Sequence, residues 1–257
     1  MTRLSQAFNG KKPLIGFITC GDPDLVTTIE VAKAMVAQGV GVIELGIPFS
    51  DPTAEGPVIE AANARALAAG TTTDKVFEMV VELRKAVDVP LLFMTYANVV
   101  FSYGTERFMQ RAQAAGIDGL ILPDVPYEER DEFLPQAQAH GLALVSFIAP
   151  TSEGRIERIA RDAQGFIYLV SSLGVTGERE SLQANLAATI KRIRAVTQTP
   201  VAVGFGISTP EQVCAVADVA DGVIVGSAIV KRIAEHPHNA PQAVGDFVAT
   251  LTAALPH

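Results

Sequence analysis

Glu44 lies inside the apolar run VGVIEL (40–45), where a carboxylate loses its hydration unless something replaces it. If it faces a barrel lumen near the C-terminal end of its strand, burial raises its pKa and suits it to general acid–base work near neutral pH. The alternative is a buried structural glutamate paired with an arginine. Glu55 follows in the loop SDPTAEGP, beside Asp51 and Glu60; on local grounds that is a solvated surface carboxylate. Asp124 closes the run GLILPD and is expected to orient a side chain or cap the next helix. Tyr96 and Tyr168 either line an interior cavity or are ordinary core. No lysine falls in a strand-like run, which argues against Schiff-base chemistry. The four histidines (His140, His236, His238, His257) lie at helix ends or in the tail, which argues against a His-ligated catalytic metal. What remains is acid–base chemistry on a substrate that supplies its own electron sink.

A second constellation suits an anion. The chain reads Val203-Gly204-Phe205-Gly206-Ile207-Ser208-Thr209-Pro210, and further on Val225-Gly226-Ser227-Ala228. Each glycine-bearing strand end runs into a helix, with Ser208 or Thr209 as N-cap and Pro210 in the first turn. Glycine lets backbone N–H groups approach an anion closely, and helix N-termini favour negative charge. The alternative is that these glycines serve tight turns alone. The spacing lacks the third glycine of a dinucleotide fingerprint. Gly174-Val175-Thr176-Gly177 has the composition of a hinged lid, or of an exposed loop without a role.

These residues need a scaffold, and the chain alternates short apolar runs with segments of helical period. Eight runs read as strands: 14–19, 40–45, 91–96, 119–124, 143–148, 166–171, 201–206 and 222–227. Several are apolar on both faces, as parallel strands covered by helices must be. Helical periods run over 26–37, 107–115, 128–139 and 186–196, with Gly39, Gly116 and Gly141 at C-cap positions. Eight such units over 257 residues predict one domain, a single (β/α)8 TIM barrel, with an open doubly wound sheet as the alternative. Two βα loops, 46–57 and 172–184, are longer than the rest, and chemistry concentrates at that face of a barrel.

Composition agrees. Apolar residues make up 49% and charged residues 19%, and a chain this long buries roughly 70–75% of its unfolded surface without a metal or disulfide staple. A net charge of −8 disfavours nucleic acid and anionic membranes, though a local ring of amides still holds a phosphate. Cys20 and Cys214 fall in no metal or redox pattern and are expected to be buried thiols in a reducing compartment. The polar start MTRLSQAFNGKK carries no apolar signal core, and no run is long enough to span a bilayer, so a cytoplasmic location is expected.

Glu44-Leu45-Gly46-Ile47-Pro48-Phe49-Ser50-Asp51-Pro52, followed by Ala54-Glu55-Gly56-Pro57, resembles the signature loop of the tryptophan synthase α chain family. Thr19-Cys20-Gly21-Asp22-Pro23, Tyr96-Ala97-Asn98, Asp124-Val125-Pro126, Gly174 to Gly177, Gly204 to Ile207 and Gly226 to Val230 match it in order from first strand to last. The resemblance implies cleavage of indole-3-glycerol phosphate to indole and glyceraldehyde 3-phosphate. It implies no cofactor in this chain, and a partner β chain, carrying pyridoxal phosphate, in an αββα tetramer. It implies Glu44 as acid/base and Glu55 as acceptor of the indole N–H. Phe17, Tyr96 and Phe205 would line the indole pocket and Tyr168 would flank Glu44. Gly177, Gly206, Gly226 and Ser227 would hold the phosphate, and Thr176 would close the lid and orient Glu55. The sequence departs from the commoner pattern in having Glu55 for aspartate and Glu60 for a neutral glutamine. Two other functions stay open: a weakly active barrel serving mainly as an allosteric partner of β, and a phosphate-binding barrel isomerase.

Overall fold

The structure, a computed structural model, describes residues 2–171, 179–204 and 206–256. Its strands are β1 (Leu14–Thr19), β2 (Val40–Gly46), β3 (Leu91–Met94), β4 (Gly119–Ile121), β5 (Ala143–Leu144), β6 (Ser146–Ile148), β7 (Ile167–Val170), β8 (Val201–Gly204) and β9 (Gly222–Val225). All pairings are parallel, in the order β5-β4-β3-β2-β1-β9-β8-β7-β6. The two ends of that order, β5 and β6, are consecutive in the chain. They are the fifth expected strand, divided at Val145: β5 pairs with β4 and β6 with β7. The sheet therefore curls into the expected (β/α)8 barrel, nearly closed, and the open doubly wound sheet is set aside.

The helices are α1 (Arg3–Ala7), α2 (Leu25–Ala37), α3 (Pro57–Ala68), α4 (Thr73–Arg84), α5 (Ala97–Tyr103), α6 (Thr105–Ala115), α7 (Leu134–Ala139), α8 (Ile156–Arg161), α9 (Arg179–Arg194), α10 (Pro210–Ala217), α11 (Ser227–Glu235) and α12 (Ala240–Thr252). Their ends carry local signals. Asp24 accepts a hydrogen bond from Thr27 N at 2.8 Å to start α2, and left-handed Gly116 ends α6. In α4 the buried Val76, Phe77, Val80 and Leu83 recur at helical spacing and face the sheet. The segment 128–139 is a 3₁₀ turn (Tyr127–Glu132) followed by α7, rather than one helix. Helix α9 begins at Arg179, inside the region expected to be loop.

Strand alternation separates two apolar clusters. One lies between sheet and helices. The other fills the lumen, with Ile15, Val42, Leu92, Ile121, Val145, Phe166, Ala202 and Ile224. Helix α1 stoppers the N-terminal end of that lumen: Leu4 packs there, and Phe8 lies 5.5 Å from Phe166. The same end is fastened at two places by one construction. Arg84 pairs with Asp118 at 2.9 Å, and Asp118 also accepts from Leu91 N. Arg194 pairs with Asp221 at 2.7 Å, and Asp221 accepts from Val201 N. Each aspartate precedes a strand and ties down the start of the strand before it.

Candidate active site

The candidate side chains gather at the other end of the lumen. Parallel register sets Phe17 of β1 and Leu92 of β3 beside Glu44 of β2, all on the lumen face. Glu44 is only 1% exposed, and its Oε1 has no hydrogen-bond partner. No cation pairs with it among the described residues, so the reading of a structural glutamate neutralised by arginine fails. Burial pushes its pKa up to about 8, which leaves the carboxyl mostly protonated at neutral pH. Burial, and after it the nearby Glu44 carboxylate, also push the Tyr168 phenol well above its ordinary value. A buried polar atom without a partner is uncommon in a native fold. Here it sits where a ligand could supply the missing bond.

Two glycines make this arrangement possible. A Cβ on Gly46 would stand 2.6 Å from Phe17 Cζ, and one on Gly204 would stand 2.7 Å from the Tyr168 hydroxyl. Both aromatic rings therefore lie in space that a larger residue would fill. The sequence reading takes Gly204 only as a strand-end glycine and gives Gly46 no role of its own, although glycine inside an apolar strand is itself a signal of close approach. Phe147 lies 4.8 Å from Tyr168 and continues the aromatic wall.

The predicted anion site is adjacent. Strand β1 pairs with β2 on one side and β9 on the other, so Glu44 and the end of β9 are two strand spacings apart, about 10 Å. Gly226 caps α11 with no side-chain hydrogen bond, Ser227 is exposed, and the Gly226 Cα faces Phe17. The amides of this first turn point away from the helix unclaimed by a capping side chain. The start of α10 differs. Thr209 is its N-cap, and Gln212 Oε1 accepts from Ser208 N and Thr209 N, so that terminus satisfies itself. Gly206, at a positive φ of 79°, turns the chain between β8 and this cap. Thr176, Gly177 and Phe205, together with the lid glycine Gly174, lie outside the described residues.

Glu55 is not a solvated surface group. It is half-buried, and the Tyr96 hydroxyl donates to its Oε2. The same hydroxyl accepts from Ala54 N at 3.1 Å, and the Phe49 ring lies 5.2 Å from Tyr96, so the tyrosine folds the loop after β2 inward. Burial raises the Glu55 pKa; the Tyr96 bond opposes this, while Glu60 and Asp124 add to it. Tyr96 ends no strand: it is buried at the N-cap of α5. Asp124 lies beyond β4 and accepts from Ala97 N at 3.0 Å, so it caps α5 of the preceding unit, not the next helix. Cys20 is buried as expected; Cys214 is exposed on α10, which corrects the expectation for that thiol. Among the described residues no cluster of His, Cys, Asp and Glu could hold a metal, and no helix is long and apolar enough to cross a membrane.

A barrel with a stoppered floor, one buried unpaired acid in its lumen and an uncapped helix start beside it has the parts of an acid–base enzyme for an anionic small molecule. The comparisons make this specific. The family model for the tryptophan synthase alpha chain matches residues 4–254, and the chain belongs to that family. The alpha chain of Lacticaseibacillus casei is 47% identical over 255 residues, covering 99% of this chain and 96% of that one. The crystal structure of the alpha subunit from Legionella pneumophila str. Paris has a TM-score of 0.90 at 39% identity, covering 99% and 98% of the two chains. Tryptophan synthase from M. tuberculosis, in an aminoacrylate-bound form, matches with a TM-score of 0.88 at 30% identity over the whole of both chains. The chain is thus an α-subunit barrel, a lyase of tryptophan biosynthesis.

Proposed function

We propose that the chain cleaves indole-3-glycerol phosphate with Glu44 as its acid/base. Protonated Glu44 gives its proton to indole C3, and the ring becomes an electron-poor indolenine. Glu44, now a carboxylate, takes the proton of the glycerol hydroxyl next to the ring. With that proton gone, the C–C bond breaks towards the ring, releasing indole and glyceraldehyde 3-phosphate and leaving Glu44 protonated as at the start. Glu55 accepts the indole N–H as positive charge grows there. Phe17, Tyr96, Tyr168 and Phe205 enclose the ring. The phosphate rests on the amides of Gly206, Gly226 and Ser227, with Gly177 and Thr176 closing over it. The reaction needs no metal or cofactor from this chain, because the protonated ring is the electron sink.

The observation that carries this reading is the buried Glu44 carboxyl, whose Oε1 has no hydrogen-bond partner, separated from the uncapped start of α11 by the single strand β1. Glu44→Ala tests it. Indole release should nearly vanish while a phosphate-bearing ligand still binds; normal turnover would remove Glu44 from the mechanism. We also propose a cytoplasmic αββα assembly. The loop after β2 (Asp51, Pro52, Thr53) and the α5 region (Asn98–Ser102) form the rim that docks a β chain carrying pyridoxal phosphate. Robust cleavage in that complex would end the alternative of a feeble barrel kept as an allosteric partner.

A further inference from the structure

Glu55 stands immediately before α3, whose N-cap is Gly56 and whose first residue is Pro57. This helix lies over the lumen mouth. Val58, Ile59 and Ala62 pack on Phe17 and Met94 from the lumen wall and on Val230 of α11. Two turns further on, Arg65 makes a bidentate pair with Asp22: Nε to Oδ1 and Nη2 to Oδ2, both 2.8 Å. Asp22 is 2% exposed, in the short loop after β1. That loop is itself held: Gly21 N donates to Thr28 Oγ1 of α2 at 2.9 Å, and Gly21 abuts Thr71 at the far end of α3 so closely that a Cβ would stand 2.0 Å from its hydroxyl.

We infer that the Asp22–Arg65 pair is a strut that sets the angle of α3 across the mouth and thereby places the Glu55 carboxylate, making both positioning residues for the reaction proposed above. A planar two-bond contact fixes orientation as well as distance. From Arg65 to Pro57 the helix is about 12 Å long, so a tilt of about 5° at the strut carries the start of α3 about 1 Å. A displacement of that size at a reacting group costs on the order of a hundredfold in rate. The pair touches no substrate; it works through the helix.

The test is a double-mutant cycle in the full chain, assayed by indole release. Asp22→Asn keeps the shape and leaves Arg65 free to meet water. It should lower kcat ten- to a hundredfold with KM changed by no more than about threefold. In an E55Q background the same substitution should change kcat by less than about twofold. Arg65→Lys, which retains the charge on one contact, should lose less kcat than Arg65→Ala, and unfolding curves check that each variant is folded. An equal kcat loss from D22N in both backgrounds would make the pair merely structural and overturn the inference. Full activity of E55Q alone would instead refute a role for Glu55, and the strut would fall with it.

Discussion

Replacing Glu44 with glutamine should change how stability depends on pH. An acid whose pKa is higher in the folded than in the unfolded chain holds its proton longer in the native state. For Glu44 this window runs from the ordinary 4.5 to about 8. Within it the folded chain binds more protons, so stability falls as pH rises; below the window the contribution is fully present, and above it is lost. At about 1.4 kcal/mol per pH unit the loss is on the order of 5 kcal/mol over the whole window. Glu44→Gln cannot titrate and removes that slope, whatever constant cost its buried amide adds. Urea unfolding of both proteins at several pH values between 5 and 8 measures the difference. Stability of the variant relative to wild type should climb steadily with pH. A parallel pair of pH curves would refute the assignment of Glu44 as a carboxyl kept protonated by burial.

Other outcomes follow from named contacts. Glu44→Gln should also cut indole release by about 10³-fold, the range expected for a lost general acid–base, and wild-type kcat/KM should decline above about pH 8 as Glu44 ionises. Gly204→Ala drives a methyl against Tyr168 and Ile224; it should cost about 1–3 kcal/mol by thermal or urea unfolding. Asp118→Ala leaves the Arg84 charge without its carboxylate and the Leu91 amide without its acceptor in a largely buried setting and should cost about 3 kcal/mol, whereas Asp221→Ala, with its half-exposed Arg194 partner, should cost about 1 kcal/mol. Tyr96→Phe removes the bond that restrains the Glu55 pKa, so NMR titration of that carboxyl should move to higher pH.

The barrel is legible because parallel strands buried on both faces leave runs of apolar residues that turns interrupt. The match was closest at β1, where the expected 14–19 is what forms. Several other runs overshoot at their C-terminal ends, whereas β2 extends one residue past the expected 45. Tyr96 and Leu122 are apolar and buried although they stand beyond β3 and β4, because the loops at the mouth pack as well. The break at Val145 leaves no mark, since a residue between two strand partners is as apolar as its neighbours. Glu44 stood out because a charge amid aliphatic residues needs a reason. Glu55 was misread locally because its burial depends on Tyr96, forty-one positions away. The Asp22–Arg65 contact spans forty-three positions and has no local pattern at all.

The stopper formed by Leu4 and Phe8 makes the barrel a blind vessel. With its floor plugged, whatever forms beside Glu44 has to leave by the mouth; in the pose proposed above the sugar-phosphate half would lie nearer that mouth and would depart ahead of the ring or swing aside for it. A second chain seated on that exit would inherit the ring product directly, with no rear door through which it could leak away.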